Sequence, residues 1–515
     1  MAKKRLTILL VLFVFGVGLS LRLYKFDRIP FGLNHDGAQD ALQAIDLIQH
    51  PWPYRPYLTG GSGETLFKYY LGTLVKIFGA TPRTIKFGST LLSFLTIPLF
   101  YLLVKEISER RVALFSAFLL AISGWQIIMG KTVWRAISTP LLEIVTLYFL
   151  VRAFKEGRQA LFALSGFFLA LTLNTYSAAR AFCLFVVFLL AIWTGKKIKE
   201  KTPWQRLLIH WLFFGGVFLI AVSPLAYYAY HHWGEFNSRF QSLSVFNRIE
   251  QEKSLSPLFK NLLTSSLIFN VRANGDDFFT SQPLLDFPTS FLFLFGIIVC
   301  LTQIKKPLSF FALSGLLFNL LPGLISIPNG NRNIGTVPFV YLTAGIGFFQ
   351  LWKIVRSSFK NRWLSITVIV ILCLSGVITL YRLYFSPYRR ELWGFYPETT
   401  VVGDFMKNNL ERYEFYLTDN YPRDILTFLT YDGQGNPFVK HYQWFEKKES
   451  FLTVKSKKKG IVFIMFDTPE NQRFLKRLKQ NFPGGQVSEL RYVDDKINRS
   501  AGLLYIIEGK NEKRP

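Results

Sequence analysis

Cysteine and histidine are scarce in this sequence, which holds three cysteines and six histidines among 515 residues. Cys183, Cys300 and Cys373 each lie inside an apolar run, far from one another and from any CxxC spacing. That pattern is neither a disulfide framework nor a zinc site. The three cysteines are therefore predicted to be small residues of an apolar core.

Charged residues are also few, at 18% of the chain against 50% hydrophobic residues. Soluble domains carry about 25% charged residues, so this composition excludes a soluble protein and predicts one that crosses a membrane several times. Acids are scarcer than bases, and the formal net charge is +27. The basic residues fall in short clusters between apolar runs, where they are expected to set membrane topology, so no nucleic-acid partner is predicted.

Eleven apolar runs are interpreted as membrane spans, each about long enough or apolar enough to cross the hydrocarbon layer. They cover residues 6–23, 85–104, 112–129, 137–151, 161–173, 181–193, 207–228, 290–301, 308–327, 334–352 and 363–384. The first run is preceded by basic residues and is not followed by a small-x-small cleavage pattern. It is therefore predicted to be an uncleaved span with its N-terminus in the cytoplasm.

The loop charges support this topology, because every predicted cytoplasmic loop contains several Lys or Arg residues, as in multi-pass proteins of a plasma or inner membrane. The same count places outside the membrane the first outer loop (24–84), the turns near 130–136 and 174–180, the turn at 328–333, the loop 229–289, and the tail after 385. In the first outer loop, residues 36–49 and 64–78 are predicted to form helices that lie along the membrane interface.

The C-terminal tail differs in composition, since charged residues alternate with short β-type runs. Strands are predicted at 414–418, 460–466, 486–493 and 502–507, and helices at 398–410, 423–431 and 469–481. The predicted fold class is therefore a mainly α, polytopic membrane protein with about 11 transmembrane helices and a small extracytoplasmic α/β domain. The expected domains are residues 1–385, which include the first outer loop, and residues 386–515.

Acids and cations are predicted to gather at the outer rim of the membrane. The acids of the first outer loop are Asp36, Asp40 and Glu64, and the cations that follow the third, fifth and ninth spans are Lys131, Arg135, Arg180 and Arg332. A carboxylate can take a proton from an acceptor hydroxyl, and cations can neutralise a phosphate leaving group. This combination suits group transfer from a lipid phosphate.

Each of these residues also has a simpler interpretation. Asp36 is equally well placed to cap its helix. Asp40 is better explained as a residue on a solvated helix face than as a second catalyst, and Glu64 could cap the second helix. The four cations could be interfacial anchors that bind lipid headgroups nonspecifically. However, they lie on the side that the positive-inside rule disfavours, which favours a functional role.

Several stretches resemble the GT-C superfamily of membrane glycosyltransferases, in particular the bacterial branch related to protein O-mannosyltransferases and the lipid A aminoarabinose transferase. The resemblance covers about residues 15–355. The stretches are LRLY (21–24), IPFG (29–32) with Asp36, GETLFKYY (63–70), KTVWRA (131–136), NTYSAAR (174–180), and NRNIG (331–335) with Pro338. The resemblance implies that Asp36 acts at the acceptor and that Lys131, Arg135 and Arg332 hold a polyprenyl phosphate.

One position departs from the family pattern, which often has Asp-Glu where this chain has Asp36-Gly37. Any role of a second acid must then fall to Asp40 or Glu64, or be absent. No cofactor is implied with certainty, and dependence on a divalent metal stays open.

The sequence thus predicts an inverting glycosyltransferase of the hexosyltransferase type. It would move a sugar, with mannose expected, from a polyprenyl-phosphate donor to an extracytoplasmic protein or glycolipid acceptor. Asp36 would be the general base, and Lys131, Arg135, Arg180 and Arg332 would bind the donor phosphate. Two alternatives are a flippase or transporter of lipid-linked glycans and a non-catalytic membrane scaffold. Glu143 is the acidic residue that clearly lies within a predicted span. Because charged residues within the spans are so scarce, a transporter is disfavoured.

Overall fold

The computed structural model describes residues 2–59, 63–273, 282–358, seven positions between 363 and 378, and residues 395–446, 458–494 and 497–508. The chain folds into two compact units that are interleaved along the sequence. The first unit comprises Met1–Phe26, Pro51–Phe67 and Lys86–Trp393, and the second comprises Asp27–His50, Lys68–Ile85 and Gly394–Pro515. The first outer loop, which was predicted to belong entirely to the membrane domain, is thus divided between the two units.

The part of the chain before residue 359 is mainly helical. Its α-helices are α1 (Ala2–Leu23), α2 (His35–Gln49), α3 (Leu66–Phe78), α4 (Pro82–Ile107), α5 (Arg110–Ala121), α6 (Gly124–Lys131), α7 (Ser138–Glu156), α8 (Gln159–Leu173), α9 (Arg180–Lys199), α10 (Trp204–His231), α11 (Trp233–Leu243), α12 (Val245–Glu252), α13 (Ser256–Leu267), α14 (Phe287–Thr302), α15 (Pro307–Ile325) and α16 (Val337–Ser358). Three short 3₁₀ turns precede α7, α9 and α16, namely η1 (Arg135–Ile137), η2 (Ser177–Ala179) and η3 (Ile334–Thr336).

Among the described residues, seven helices are long and apolar enough to cross a membrane, or eight if the bent pair α5 and α6 is one span. The shorter apolar helices α8 and α14 match the predicted spans 161–173 and 290–301. This is a multi-pass membrane protein. The span predicted at 112–129 corresponds to the pair α5 and α6, between which the chain bends by 51°. At the bend the Ser123 hydroxyl accepts a hydrogen bond from the Gln126 N–H. The predicted span 363–384 lies mostly outside the described residues.

The helices of the first unit approach one another closely at small residues, as is usual between membrane helices. A Cβ added at Gly166 would meet the Phe214 carbonyl of α10 at 2.2 Å, and one at Gly296 would meet the Thr343 carbonyl of α16 at 2.1 Å. A buried cation also joins three helices, because Arg22 donates hydrogen bonds to the Ser93 hydroxyl and the Ala121 carbonyl. Cys183 and Cys300 are free thiols in these helices, and Cys373 lies outside the described residues.

The second unit contains a five-stranded sheet. Its strands are β3 (Tyr413–Leu417), β4 (Gln443–Trp444), β5 (Gly460–Met465), β6 (Gln486–Asp494) and β7 (Ile497–Glu508). The strands β1 (Tyr57–Leu58) and β2 (Gly63–Glu64) belong to the first unit, where they form a separate two-stranded hairpin. The strand order is β4-β3-β5-β7-β6. β3 is parallel to β4 and β5, and β7 is antiparallel to β5 and β6. The predicted α/β character is confirmed, and β4 is the strand that the sequence analysis missed.

The sheet is covered on both faces by α17 (Pro397–Asn408), α18 (Arg423–Leu429) and α19 (Pro469–Asn481). Successive strand residues point to opposite faces. Phe415 packs with Met406 of α17 in one buried cluster, and Tyr416 packs with Phe474 of α19 in the other. The three helices occur where the sequence pattern predicts them, within about two residues at each end.

The helices predicted at 36–49 and 64–78 are present as α2 and α3. They cross closely, because a Cβ added at Gly72 would meet the Ala44 carbonyl at 2.5 Å. α2 also packs against α18 of the C-terminal sheet region. The loop 229–289 contains three helices, α11 to α13, that the sequence analysis does not predict.

Candidate functional site

A cavity of about 480 Å³ lies in the first unit. Its lining comes from the β1–β2 hairpin, the starts of η1 and α9, helix α11, the end of α15, and the turn before η3. Three of the four cations predicted from the sequence, Arg135, Arg180 and Arg332, line it together with Glu64. The cavity therefore joins residues that are far apart in sequence, and its ionisable side chains carry a net charge of +2.

Each of the three arginines is half-buried and held by its own local contact. The Arg135 guanidinium lies 5.6 Å from the centre of the Tyr176 ring, and that of Arg180 lies 4.2 Å from the centre of the Phe236 ring. Arg332 Nη1 donates a hydrogen bond to the Ile327 carbonyl at 2.6 Å. Guanidinium groups present several N–H donors in a plane, so a cluster of them suits a phosphate.

Each of the three arginines lies at or near a 3₁₀ turn. Arg135 is the first residue of η1, Arg180 follows η2 and opens α9, and Arg332 lies two residues before η3. Each arginine thus stands at or before the N-terminal end of a membrane helix. Helix N-termini carry unpaired N–H groups and partial positive charge, which favour anions.

Glu64 is placed by the β1–β2 hairpin, in which it pairs with Tyr57. Its side chain is buried, and Oε2 lies 3.9 Å from Arg135 Nε. Gly63 allows this approach, because its φ is +68° and an added Cβ would lie 2.9 Å from Arg135 Nη2. A side chain at this position would be strained and would displace the guanidinium. Glu64 is therefore the counter-ion of Arg135 within the cavity.

The remaining wall of the cavity is mainly apolar. It is formed by Leu184 of α9, Phe240 of α11, and Leu321 and Ile325 of α15. The end of α15 is fixed by a hydrogen bond from Arg248 Nη2 to the Ser326 carbonyl at 3.2 Å. An apolar wall beside a cluster of guanidinium groups matches an amphiphile that has an anionic head and a hydrocarbon chain.

Lys131, the fourth predicted cation, does not line this cavity. It is the last residue of α6 and is 1% exposed, and its Nζ donates a hydrogen bond to the Tyr24 carbonyl at 2.6 Å. The Lys131 side chain is thus buried among the helices, and its ammonium group contacts a backbone carbonyl.

Asp36 lies in the second unit, in the first turn of α2, and is partly exposed. The N-cap of α2 is Asn34, whose side-chain oxygen accepts a hydrogen bond from the Gly37 N–H at 2.7 Å. The alternative in which Asp36 caps the helix is therefore wrong. A carboxylate in the first turn is still stabilised by the helix dipole.

Asp40 is not on a solvated face, so that expectation is also wrong. It is 5% exposed, and its Oδ1 lies 3.2 Å from Nζ of Lys68, whose side chain is fully buried. The expectation fails because α3 covers this side of α2. Asp40 thus takes part in a buried ion pair of the second unit.

A divalent metal has no obvious ligand set in the described part of the chain, where no group of three or more His, Cys, Asp or Glu side chains could hold one. Of the four aromatic residues that line the cavity, Tyr57, Phe236 and Phe240 lie in stretches from which no site residue was predicted, apart from Glu64 near Tyr57. Tyr57 packs 5.2 Å from the Tyr228 ring and 5.3 Å from the Phe236 ring. No spacing in the sequence signals these contacts, since Phe236 and Phe240 lie on a helix that the sequence pattern did not reveal.

Comparison with known proteins identifies the fold. A family model described as dolichyl-phosphate-mannose-protein mannosyltransferase matches residues 65–228. The structure resembles ArnT from Cupriavidus metallidurans bound to undecaprenyl phosphate, with a TM-score of 0.55, 10% identity, and coverage of 100% of this chain and 99% of that one. The chain has the GT-C fold. The fold that the resemblance to the GT-C superfamily predicts is thus confirmed.

A second solved structure with the GT-C fold is similar over most of its length. It is the Archaeoglobus fulgidus oligosaccharyltransferase in the apo form, with a TM-score of 0.54, 13% identity, and coverage of 95% of this chain and 70% of that one. The same enzyme, AglB, has also been solved with an inhibitory peptide and a dolichol-phosphate, with a TM-score of 0.50 and 13% identity over 97% of this chain and 74% of that one. No curated protein sequence matches the chain.

Proposed function

We propose that this protein is a glycosyltransferase that moves a sugar from a polyprenyl-phosphate donor to an acceptor on the extracytoplasmic side of a plasma or inner membrane. Arg135, Arg180 and Arg332 bind the donor phosphate, and Asp36 is the general base. Lys131 is left out of the phosphate-binding set because of its contact with the Tyr24 carbonyl.

The observation that carries the proposal is the composition of the cavity. It places three guanidinium groups beside a wall of leucine, isoleucine and phenylalanine. The cations match a phosphate and the apolar wall matches a prenyl chain. A non-catalytic scaffold gives no reason for this arrangement, and a flippase is expected to carry its charges within the spans.

The transfer follows from these roles. The acceptor hydroxyl oxygen forms a bond to the anomeric carbon from the side opposite the carrier, so the configuration inverts. The bond between that carbon and the phosphate oxygen breaks, and its electron pair leaves with the carrier phosphate. The hydroxyl proton passes to the Asp36 carboxylate. Negative charge grows on the phosphate, where the guanidinium groups stabilise it in a poorly hydrated site.

The matched proteins support the carrier and the sugar class. ArnT was solved with undecaprenyl phosphate and AglB with a dolichol-phosphate. The family model describes dolichyl-phosphate-mannose-protein mannosyltransferases, which favours mannose as the sugar and a protein as the acceptor. A glycolipid is the alternative acceptor, and label in the lipid fraction instead of the protein fraction would identify it.

The test measures transfer of labelled mannose from polyprenyl-phosphate mannose to the protein and lipid fractions of membranes that contain the chain. Asp36→Asn is expected to abolish transfer while undecaprenyl phosphate still binds the purified protein. Arg135→Ala and Arg332→Ala are expected to weaken that binding by about tenfold to a hundredfold each, because a hydrogen bond to a charged group contributes about 1.5–3 kcal/mol.

Two exposed residues of the first loop provide matched controls. Arg83 and Asp27 form a solvent-exposed ion pair at 2.8 Å, and neither residue lines the cavity. Arg83→Ala and Asp27→Asn therefore make the same chemical changes outside the cavity. Both are expected to retain transfer. Wild-type transfer by Asp36→Asn would refute its role as base, and transport of the lipid-linked sugar without a new glycosidic bond would favour the flippase.

A further inference from the structure

The backbone around Asp36 pairs with the C-terminal sheet region of the second unit. We define the Asp36 loop as residues 31–36. The Tyr396 N–H donates a hydrogen bond to the Leu33 carbonyl at 3.1 Å, and Asn34 forms an antiparallel bridge with Phe395. Because Asn34 is also the N-cap of α2, this pairing fixes the backbone at the point where the helix begins.

Gly32 makes this pairing possible. Its φ is +92°, and an added Cβ would lie 2.9 Å from the Pro397 backbone nitrogen and 3.0 Å from the Tyr396 carbonyl carbon. Two backbones can approach this closely only where one of them lacks a side chain. An alanine at this position would push the Asp36 loop away from the start of α17.

An aromatic contact holds the first residue of the loop. The Phe31 ring stacks on the Tyr492 ring of β6, with centres 5.9 Å apart and an angle of 19° between the rings. The Tyr492 hydroxyl donates a hydrogen bond to Glu398 Oε1 of α17 at 2.8 Å. The ring that supports Phe31 is therefore itself fixed to the C-terminal region.

Both ends of α2 are joined to the same region. At its start, His35 Nδ1 lies 3.2 Å from Asp424 Oδ2 of α18. At its end, Gln49 Nε2 donates hydrogen bonds to the Tyr431 hydroxyl and the Gly435 carbonyl, each at 3.0 Å. The helix cannot slide or turn against α18 without breaking one of these contacts.

We propose that the C-terminal region positions Asp36 for catalysis, with Gly32 and Tyr492 as its principal positioning residues. This inference rests on the proposed function, in which Asp36 is the general base. Asp36 lies two residues after the N-cap Asn34, so a backbone shift at Leu33 or Asn34 moves its carboxylate directly. A base must lie within hydrogen-bond reach of the acceptor proton, and a displacement of about 1 Å can cost about a hundredfold in rate.

The test uses the full chain in the transfer assay with polyprenyl-phosphate mannose. Gly32→Ala and Tyr492→Leu are expected to lower the maximal rate by about tenfold to a hundredfold and to leave the affinity for undecaprenyl phosphate unchanged. Tyr492→Phe keeps the ring stack and is expected to restore most of the rate. Amide hydrogen exchange of residues 31–37 should become faster in Gly32→Ala and Tyr492→Leu, because their contacts with the C-terminal region are weakened.

The control is Gly79→Ala, at a glycine with a similar φ of +85° where an added Cβ would meet nothing within 4 Å. It imposes comparable backbone strain without touching the Asp36 loop, so its maximal rate should stay unchanged. An unchanged maximal rate in both Gly32→Ala and Tyr492→Leu, or an equal loss in Gly79→Ala, would overturn the positioning role. If Gly32→Ala fails to fold, Tyr492→Leu and its exchange rates decide the question.

The two proposals can fail separately. Wild-type transfer by Asp36→Asn refutes the proposed function, whatever the other variants do. An inactive Asp36→Asn together with full activity of Gly32→Ala and Tyr492→Leu leaves Asp36 as the base and refutes only its positioning by the C-terminal region.

Discussion

The buried pair of Asp40 and Lys68 leads to a prediction that separates a structural acid from a catalytic one. The side chains are 7% and 0% exposed, and the charged atoms lie 3.2 Å apart. Removing one partner of such a pair leaves a buried charge without its counter-ion, which costs about 3–5 kcal/mol. Asp40→Asn and Lys68→Met should each lower the free energy of unfolding of the second unit by about this amount.

This loss should be visible in the melting temperature. In a unit of this size, 1 kcal/mol corresponds to about 2–4 °C, so each single variant should melt about 10 °C lower than the wild type. The double variant Asp40→Asn/Lys68→Met removes both charges of this pair and should recover most of the loss. The measurement is the thermal unfolding midpoint of the detergent-solubilised protein, with sugar transfer assayed on the same samples.

A solvent-exposed pair provides the control. Arg83 and Asp27 are 74% and 49% exposed, and exposed ion pairs contribute about 0–1 kcal/mol, so Asp27→Asn should shift the midpoint by at most about 4 °C. If Asp40→Asn melts like the wild type, or the double variant melts below both single variants, the reasoning is refuted. If the double variant melts normally but transfers no sugar, Asp40 has a role in the reaction.

Three further changes test local features. Asn34→Ala should cost about 1 kcal/mol through loss of the N-cap of α2, and Asn34→Asp should keep the cap; the unfolding midpoint of each variant checks this. Gly63→Ala should weaken binding of undecaprenyl phosphate by displacing Arg135, whereas Gly157→Ala, at a similar φ of +63° with nothing near the added Cβ, should not. Burial raises the pKa of Tyr70 to about 12. The burial of the neutral Tyr70 hydroxyl therefore contributes fully to stability below the unfolded pKa of about 10, and this contribution is lost as the pH rises through 12. Tyr70→Phe should remove this alkaline loss of stability, which unfolding curves measured at several pH values would show.

The sequence predicts elements well where a local pattern determines them. Strand β5 lies where a continuous apolar run predicts it, because the sheet is covered on both faces. Helix α19 lies where helical spacing predicts it, because one of its faces is buried. A regular pattern also underlies the prediction that Arg135, Arg180 and Arg332 lie on the same side of the membrane. Membrane helices alternate in direction, so the loops that follow odd-numbered spans share one side. The three arginines accordingly line one cavity.

The sequence is less informative where the partner of a side chain lies far away along the chain. Asp40 is polar on a helix whose apolar residues suggest a single buried face, and only the packing of α3 shows that its own side is buried as well. Lys131 lies four residues from Arg135 and has the same charge. Its position at the end of α6 nevertheless directs it to the Tyr24 carbonyl. Charge and spacing therefore predict the side of the membrane on which a residue lies, but not the side chain or backbone group that it contacts.

The same distinction explains the C-terminal region, for which the sequence predicts a fold but no role. Its strands and helices follow from local patterns, whereas the contacts from Phe31 to Tyr492 and from Gln49 to Tyr431 join residues that no local pattern relates. A loop as short as the Asp36 loop has little core of its own, so its geometry must be imposed by neighbours. In this unit the neighbours are supplied by the C-terminal strands and helices. Loss of this region should therefore disable the reaction even though it contributes none of the arginines of the cavity.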